Sequence, residues 1–131
     1  MTPEELLAKA KEAQQNAYAP YSNFYVGAAL LCKDGSLYTG CNIENSSYPA
    51  GICAERTALV KAVSDGHKDF TAIAIIGGKN GATDDFCYPC GICRQMLSEF
   101  VDITFKYYFQ NQVGDIISLS EPDLLPHSFN L

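Results

Sequence analysis

Cys53, Glu55, Cys90 and Cys93 are the residues of this sequence whose types and spacing point most directly to chemistry. Cys90 and Cys93 stand three apart. On a helical start that spacing puts both thiols on one face, where they can chelate a single ion. One predicted helix begins at Cys53 and another just after Cys90, and Pro89 fits a chain turning into the second. A helix N-terminus offers unpaired N–H groups and a partial positive charge, which favour thiolate over thiol. Thiolate is the form that binds zinc. Glu55 follows Cys53 by two positions, an offset that in a helix turns it roughly 200° away. It is therefore not expected to ligate the ion but to approach its open side. A carboxylate beside a three-ligand zinc suggests catalysis. The fourth position takes a water whose pKa falls from about 15.7 toward about 7 to 9, and the carboxylate takes its proton.

Spacing alone leaves other readings open. Cys87 and Cys90 form a second, overlapping C-x-x-C. Cys53, Cys87, Cys90 and Cys93 can thus make a closed structural zinc site, and such pairs also occur with no metal at all. Cys32 and Cys41 lie in apolar runs and read as buried core thiols. His67, just after Gly66, reads as a solvated loop residue, and His127 in the tail reads the same way.

The elements that must hold these residues follow from the pattern of apolar positions. Pro3 to Tyr18 reads as an amphipathic helix, with Thr2 as N-cap and Leu6, Leu7, Ala10, Ala13 and Ala17 at helical spacing. Phe24 to Cys32 and Ser36 to Ile43 read as strands, joined through Asp34-Gly35 as a hairpin. A helix is expected from about Cys53 to Asp65, stopped at Gly66. Thr71 to Ile76 reads as a buried strand bounded by Gly77-Gly78. A helix over Gly91 to Phe100 and strands over Ile103 to Phe109 and Asp115 to Leu119 follow, with one helical turn before Pro126. The order suggests an α/β domain, a five-stranded sheet covered by helices. Strand order is not legible.

With 131 residues, 47% of them hydrophobic, the chain reads as a single domain, residues 1–131, able to bury a core without disulfides. A net charge of −6, from 15 acidic and 9 basic residues, argues against nucleic acid as a partner. No secretory signal and no apolar run near the roughly 20 residues of a membrane span is visible. The expected location is therefore the cytoplasm, where six cysteines read as thiols or metal ligands.

Cys53-Ala54-Glu55-Arg56 followed by Pro89-Cys90-Gly91-Ile92-Cys93-Arg94-Gln95 resembles the zinc nucleoside deaminases. The segments Pro20 to Leu30, Gly40 to Asn45, and Leu124-Leu125-Pro126 with Phe129 look like cytidine deaminase of the small homotetrameric type. The resemblance implies a mixed five-stranded sheet sandwiched by helices in three α/β/α layers. It implies one Zn²⁺ per subunit on Cys53, Cys90 and Cys93, with Glu55 moving protons as cytidine or deoxycytidine is deaminated in pyrimidine salvage. It further implies that the Ala54 N–H meets the base carbonyl, that Phe24 packs on the ring, and that Asn42 and Glu44 hold the ribose 3′-hydroxyl. Those two also suit a sugar hydroxyl chemically, standing two apart at a strand end with side chains on one face.

Arg56 is expected to offset the net −1 charge of three thiolates and Zn²⁺ by donating hydrogen bonds to sulfur. Tyr48 and Phe129 match positions that reach a neighbouring subunit's active site, which implies a homotetramer. Cys87 lies outside the family's motif. Two further readings are a deaminase of another aminopyrimidine, such as blasticidin S, and a non-enzymatic zinc module with Cys87 as fourth ligand.

Overall fold

The computed structural model describes residues 1–131. Helix α1 runs Pro3–Gln14 and is followed by strands β1 (Phe24–Cys32) and β2 (Leu37–Cys41). Then come α2 (Ala54–Ser64), β3 (Phe70–Lys79), α3 (Gly91–Ser98), β4 (Lys106–Gln110), β5 (Ile116–Ser120) and the short α4 (Glu121–Leu124). The strands form one sheet in the order β2-β1-β3-β4-β5. β3 and β4 pair in parallel, and every other neighbouring pair is antiparallel.

Alternation along the central strands shows why both faces are covered. Ala29, Ala72, Ala74 and Ile76 point to one side and pack under Leu6, Leu7 and Ala10 of α1. Ala28, Leu30, Ile73 and Ile75 point to the other and meet Ala54, Ala58, Leu59 and Ala62 of α2, with Leu97 of α3. The result is the expected three-layer α/β/α arrangement around a mixed sheet. Gly40 brings α2 close: a Cβ there would lie 2.5 Å from Ala58 N and 2.6 Å from Ala54 O. Any larger residue would push away the helix that carries Glu55.

Local details differ from the sequence expectation in instructive ways. α1 ends at Gln14 rather than Tyr18, because Tyr18 is bound elsewhere: its N–H donates to Asn42 O and its carbonyl accepts from Glu44 N. β3 continues through Gly77-Gly78 to Lys79, paired with Phe24, Tyr25 and Val26 of β1. Those glycines permit close packing rather than end the strand, since a Cβ on Gly77 would meet Tyr25 O at 2.6 Å and Cys87 Sγ at 2.8 Å. β2 ends at Cys41, α3 at Ser98, and β4 begins only at Lys106. The hairpin turns where Asp34-Gly35 stand, with Gly35 at φ +93° and its N–H bonded to Cys32 O.

Candidate active site

Cys53 and Cys90 are the N-cap residues of α2 and α3. Both backbones are extended there, and their carbonyls accept the first helical bonds, from Thr57 N and Arg94 N. A serine or aspartate in that position would turn its side chain back to cap the helix. These cysteines form no such cap bond, so their sulfurs remain free to converge. Cys93, one turn into α3 and fully buried, completes the set.

The three sulfurs lie within 4.8 Å of one another, with Cys53–Cys90 at 3.7 Å and Cys90–Cys93 at 3.5 Å. Tetrahedral zinc with bonds of about 2.3 Å to sulfur needs S–S separations of about 3.8 Å. The donor set therefore fits zinc in chemistry and in spacing. Cys87 is not part of this cluster. Its sulfur packs against Gly77, and burial pushes its thiol up to about 12. A closed four-cysteine site is thus not what the fold builds, and Cys87 as fourth ligand is set aside.

Glu55 is not among the clustered ligands but lines the same cleft as Cys53 and Cys90. It occupies the second helical position and is buried to 4% exposure. Burial raises its pKa to about 7. A carboxyl poised near neutrality can both take and return a proton. Arg56 Nη2 lies 3.9 Å from Cys53 Sγ, and its Nε is buried without a partner. Cys53 is held down at about 5, first by its hydrogen bond with Cys93 and then by Arg56 despite the opposing effect of burial.

These groups open into a cleft of about 450 Å³, a size suited to a small molecule. Phe24, Asn42, Glu44, Ala54 and Arg56 line it together with Cys53, Cys90 and Glu55. Asn42 has left the strand and locks the start of β1: its Oδ1 accepts from Val26 N at 2.9 Å and its Nδ2 donates to Phe24 O at 2.8 Å. One amide N–H is left for a ligand.

Two predicted residues are not brought into this cleft. Tyr48, in a single 3-10 turn at Tyr48–Ala50, is 88% exposed, and Phe129 is 66% exposed with its carbonyl held by Gln95 Nε2. Among the thiols, Cys41 is only half-buried, whereas Cys32 is in the core as expected. His67 is not simply solvated: Nδ1 lies 3.4 Å from Asp34 Oδ2, and its ring packs on Tyr38 at 5.3 Å.

Sequence reasoning missed part of the wall. Phe86 and Tyr88 stack in parallel at 5.6 Å and line the cleft beside Ile52 and Cys87. Their i, i+2 aromatic spacing next to the C-x-x-C was the available signal. Arg94 was missed as well. Its Nε donates to Pro89 O at 2.6 Å and its Nη1 to Leu124 O at 2.9 Å, tying the Cys90 loop to α4.

Residues 1–109 match the zinc-binding region of cytidine and deoxycytidylate deaminases. The chain belongs to that family. It is 48% identical over 130 residues to a cytidine deaminase of Sporosarcina psychrophila, covering 99% of this chain and 93% of the relative. A cytidine deaminase of Halalkalibacterium halodurans is 46% identical, with 98% and 95% covered. A crystal structure of cytidine deaminase from Burkholderia pseudomallei superposes with a TM-score of 0.88 at 46% identity. That likeness covers 98% of this chain and 100% of the other. A family described by its zinc-binding region agrees with the cluster of Cys53, Cys90 and Cys93.

Proposed function

We propose that residues 1–131 form one catalytic domain that hydrolyses cytidine and 2′-deoxycytidine to uridine and 2′-deoxyuridine, releasing ammonia. The observation that carries this reading is the buried Glu55 carboxyl beside three zinc-spaced sulfurs at the foot of a nucleoside-sized cleft.

Cys53, Cys90 and Cys93 hold the metal, one Zn²⁺ per chain. When bound, zinc acts as a Lewis acid and makes a water acidic enough to ionise near neutral pH. Glu55 accepts a proton from the attacking water and delivers it to N3 of the pyrimidine. Its carboxylate then takes the second proton from the hydroxyl now on C4 and passes it to the amino group. The C4–N bond breaks, the C4 carbonyl forms, uridine and ammonia leave and the carboxylate is restored. The Ala54 N–H, unpaired at the first position of α2, meets the base carbonyl, and Phe24 packs on the ring. Asn42 and Glu44 hold the 3′-hydroxyl. Arg56 draws charge from the sulfurs, which keeps three thiolates compatible with an acidic metal.

The same reading makes the chain a cytoplasmic enzyme of pyrimidine salvage that acts on free nucleosides and assembles as a homotetramer. Six free cysteines and the absence of a helix long and apolar enough to cross a membrane are consistent with that address. Tyr48 and Phe129, exposed on the single chain, are the residues it contributes to neighbouring sites.

The test follows cytidine absorbance with wild type and Glu55→Ala at matched zinc content. Turnover should fall by about 10²- to 10⁴-fold with one zinc per chain retained. Undiminished turnover would remove Glu55 from the mechanism. Bound zinc with no turnover of any cytosine nucleoside, blasticidin S being the comparison substrate, would overturn the proposal.

A further inference from the structure

Glu44 does not stand free at the edge of the cleft. Its Oε1 accepts from the Tyr21 N–H at 3.0 Å and the Ser22 N–H at 3.1 Å, and its Oε2 accepts from the Ser22 hydroxyl. An ionised carboxylate offers about four acceptor positions. Three are filled, which leaves one, on Oε2. The Ser22 hydroxyl in turn accepts from the Phe24 N–H at 3.0 Å. Phe24's carbonyl is held by Asn42 Nδ2. Between Ser22 and Phe24, Asn23 adopts φ +57°, a left-handed turn that asparagine tolerates and that brings both neighbours' groups inward. Its own backbone is fixed by bonds to Ala19 O and Asn80 N.

Ser22 thus links the residue expected on the base, Phe24, to the residue expected on the sugar, Glu44. We infer that Ser22 is a positioning residue that sets the Glu44 carboxylate and, through it, makes the site selective for nucleosides carrying a free 3′-hydroxyl. This inference deepens the proposed function and rests on its assignment of Glu44 to the sugar. The chemistry of selection follows from the donor count. The one remaining position on Oε2 accepts a hydrogen bond, so it welcomes a hydroxyl donor and repels a 3′-phosphate. The Ser22 hydroxyl also holds Glu44 below the usual carboxylate range, keeping it an acceptor. Without that hydroxyl, Oε2 loses its fixed donor and the side chain regains rotamers that do not face the cleft.

The experiment measures kcat and KM for 2′-deoxycytidine and 2′,3′-dideoxycytidine with wild type, Ser22→Ala, Ser22→Cys, Ser22→Thr, Glu44→Ala and the Ser22→Ala/Glu44→Ala pair, all loaded with zinc. Ser22→Ala should raise KM for deoxycytidine about tenfold, with kcat changed far less. It should raise KM for the dideoxynucleoside much less, so that discrimination between the two substrates collapses. Ser22→Thr, which keeps the hydroxyl, should restore most of it. Adding Ser22→Ala to Glu44→Ala should bring no further loss of discrimination. If the alanine variant fails to fold, Ser22→Cys, a weak donor of similar size, should give the same collapse.

The outcomes separate the two claims. Glu44→Ala that discriminates as well as wild type would overturn the sugar assignment itself. Glu44→Ala that loses discrimination while Ser22→Ala or Ser22→Cys retains it would overturn the role of Ser22 alone. Equal KM increases for both substrates in the Ser22 variants would do so as well.

Discussion

Two clusters in this protein bring three metal-binding side chains within 4.8 Å of one another, and only one has the surroundings of a metal centre. The first is Cys53, Cys90 and Cys93; the second is Cys32, Asp34 and His67. The second joins the tip of the β1–β2 hairpin to the turn after α2. Its groups are already satisfied: His67 Nδ1 faces Asp34 Oδ2, and Asp34 Oδ1 accepts from Ser36 N at 2.9 Å. Burial, with Asp34 adding to it, pushes the Cys32 thiol up, away from the thiolate form. In the first cluster two helix N-termini aim at the sulfurs, Arg56 approaches Cys53, and a cleft leads in. Ligand type and proximity are therefore not sufficient. What surrounds the ligands decides whether they hold an ion or each other.

That contrast can be broken at either cluster. Cys93→Ala has the largest expected effect. It removes a buried ligand, so zinc should be lost and cytidine turnover should fall at least about a thousandfold, as metal analysis and absorbance assays would record. Retention of both would mean that Cys93 is a core thiol. Arg56→Ala should act more mildly, lowering zinc affinity or kcat by about 10- to 100-fold, read by chelator competition alongside kinetics. An unchanged variant would make Arg56 a bystander on α2. His67→Ala should do least. Its pair with Asp34 is largely at the surface, so stability should change by no more than about 1 kcal/mol in urea melts, with turnover unaltered.

Legibility from sequence followed the range of the interactions involved. The starts of α2 and α3, the Asp34-Gly35 turn and the apolar run of β1 depend on neighbours along the chain, and all could be read. The end of α1 could not, because Tyr18 is claimed by Asn42 and Glu44, more than 20 residues away. Nor could the run of β3 through Gly77-Gly78. There the glycines serve contacts with Tyr25, Cys87 and Ala82 that no local pattern records. The strand order and the single parallel pair are likewise long-range facts.

The site divides in the same way. The cluster's ligands were legible because their spacing is chemical. Spacing alone kept Cys87 among the candidates, and only its place against Gly77 removes it. Ser22 and the Phe86–Tyr88 wall carried no signal that a turn or a core would not also give. Tyr48 and Phe129 were named by resemblance, and a single chain leaves both exposed.

The most direct test of the central claim, that one cluster is the metal centre and the other a contact between His67 and Asp34, is zinc content per chain measured alongside turnover. Wild type and His67→Ala should each carry one zinc per chain and deaminate cytidine at similar rates, while Cys90→Ala should carry almost none and be inactive. Two zincs in wild type with one lost in His67→Ala, or full zinc and activity in Cys90→Ala, would contradict the account.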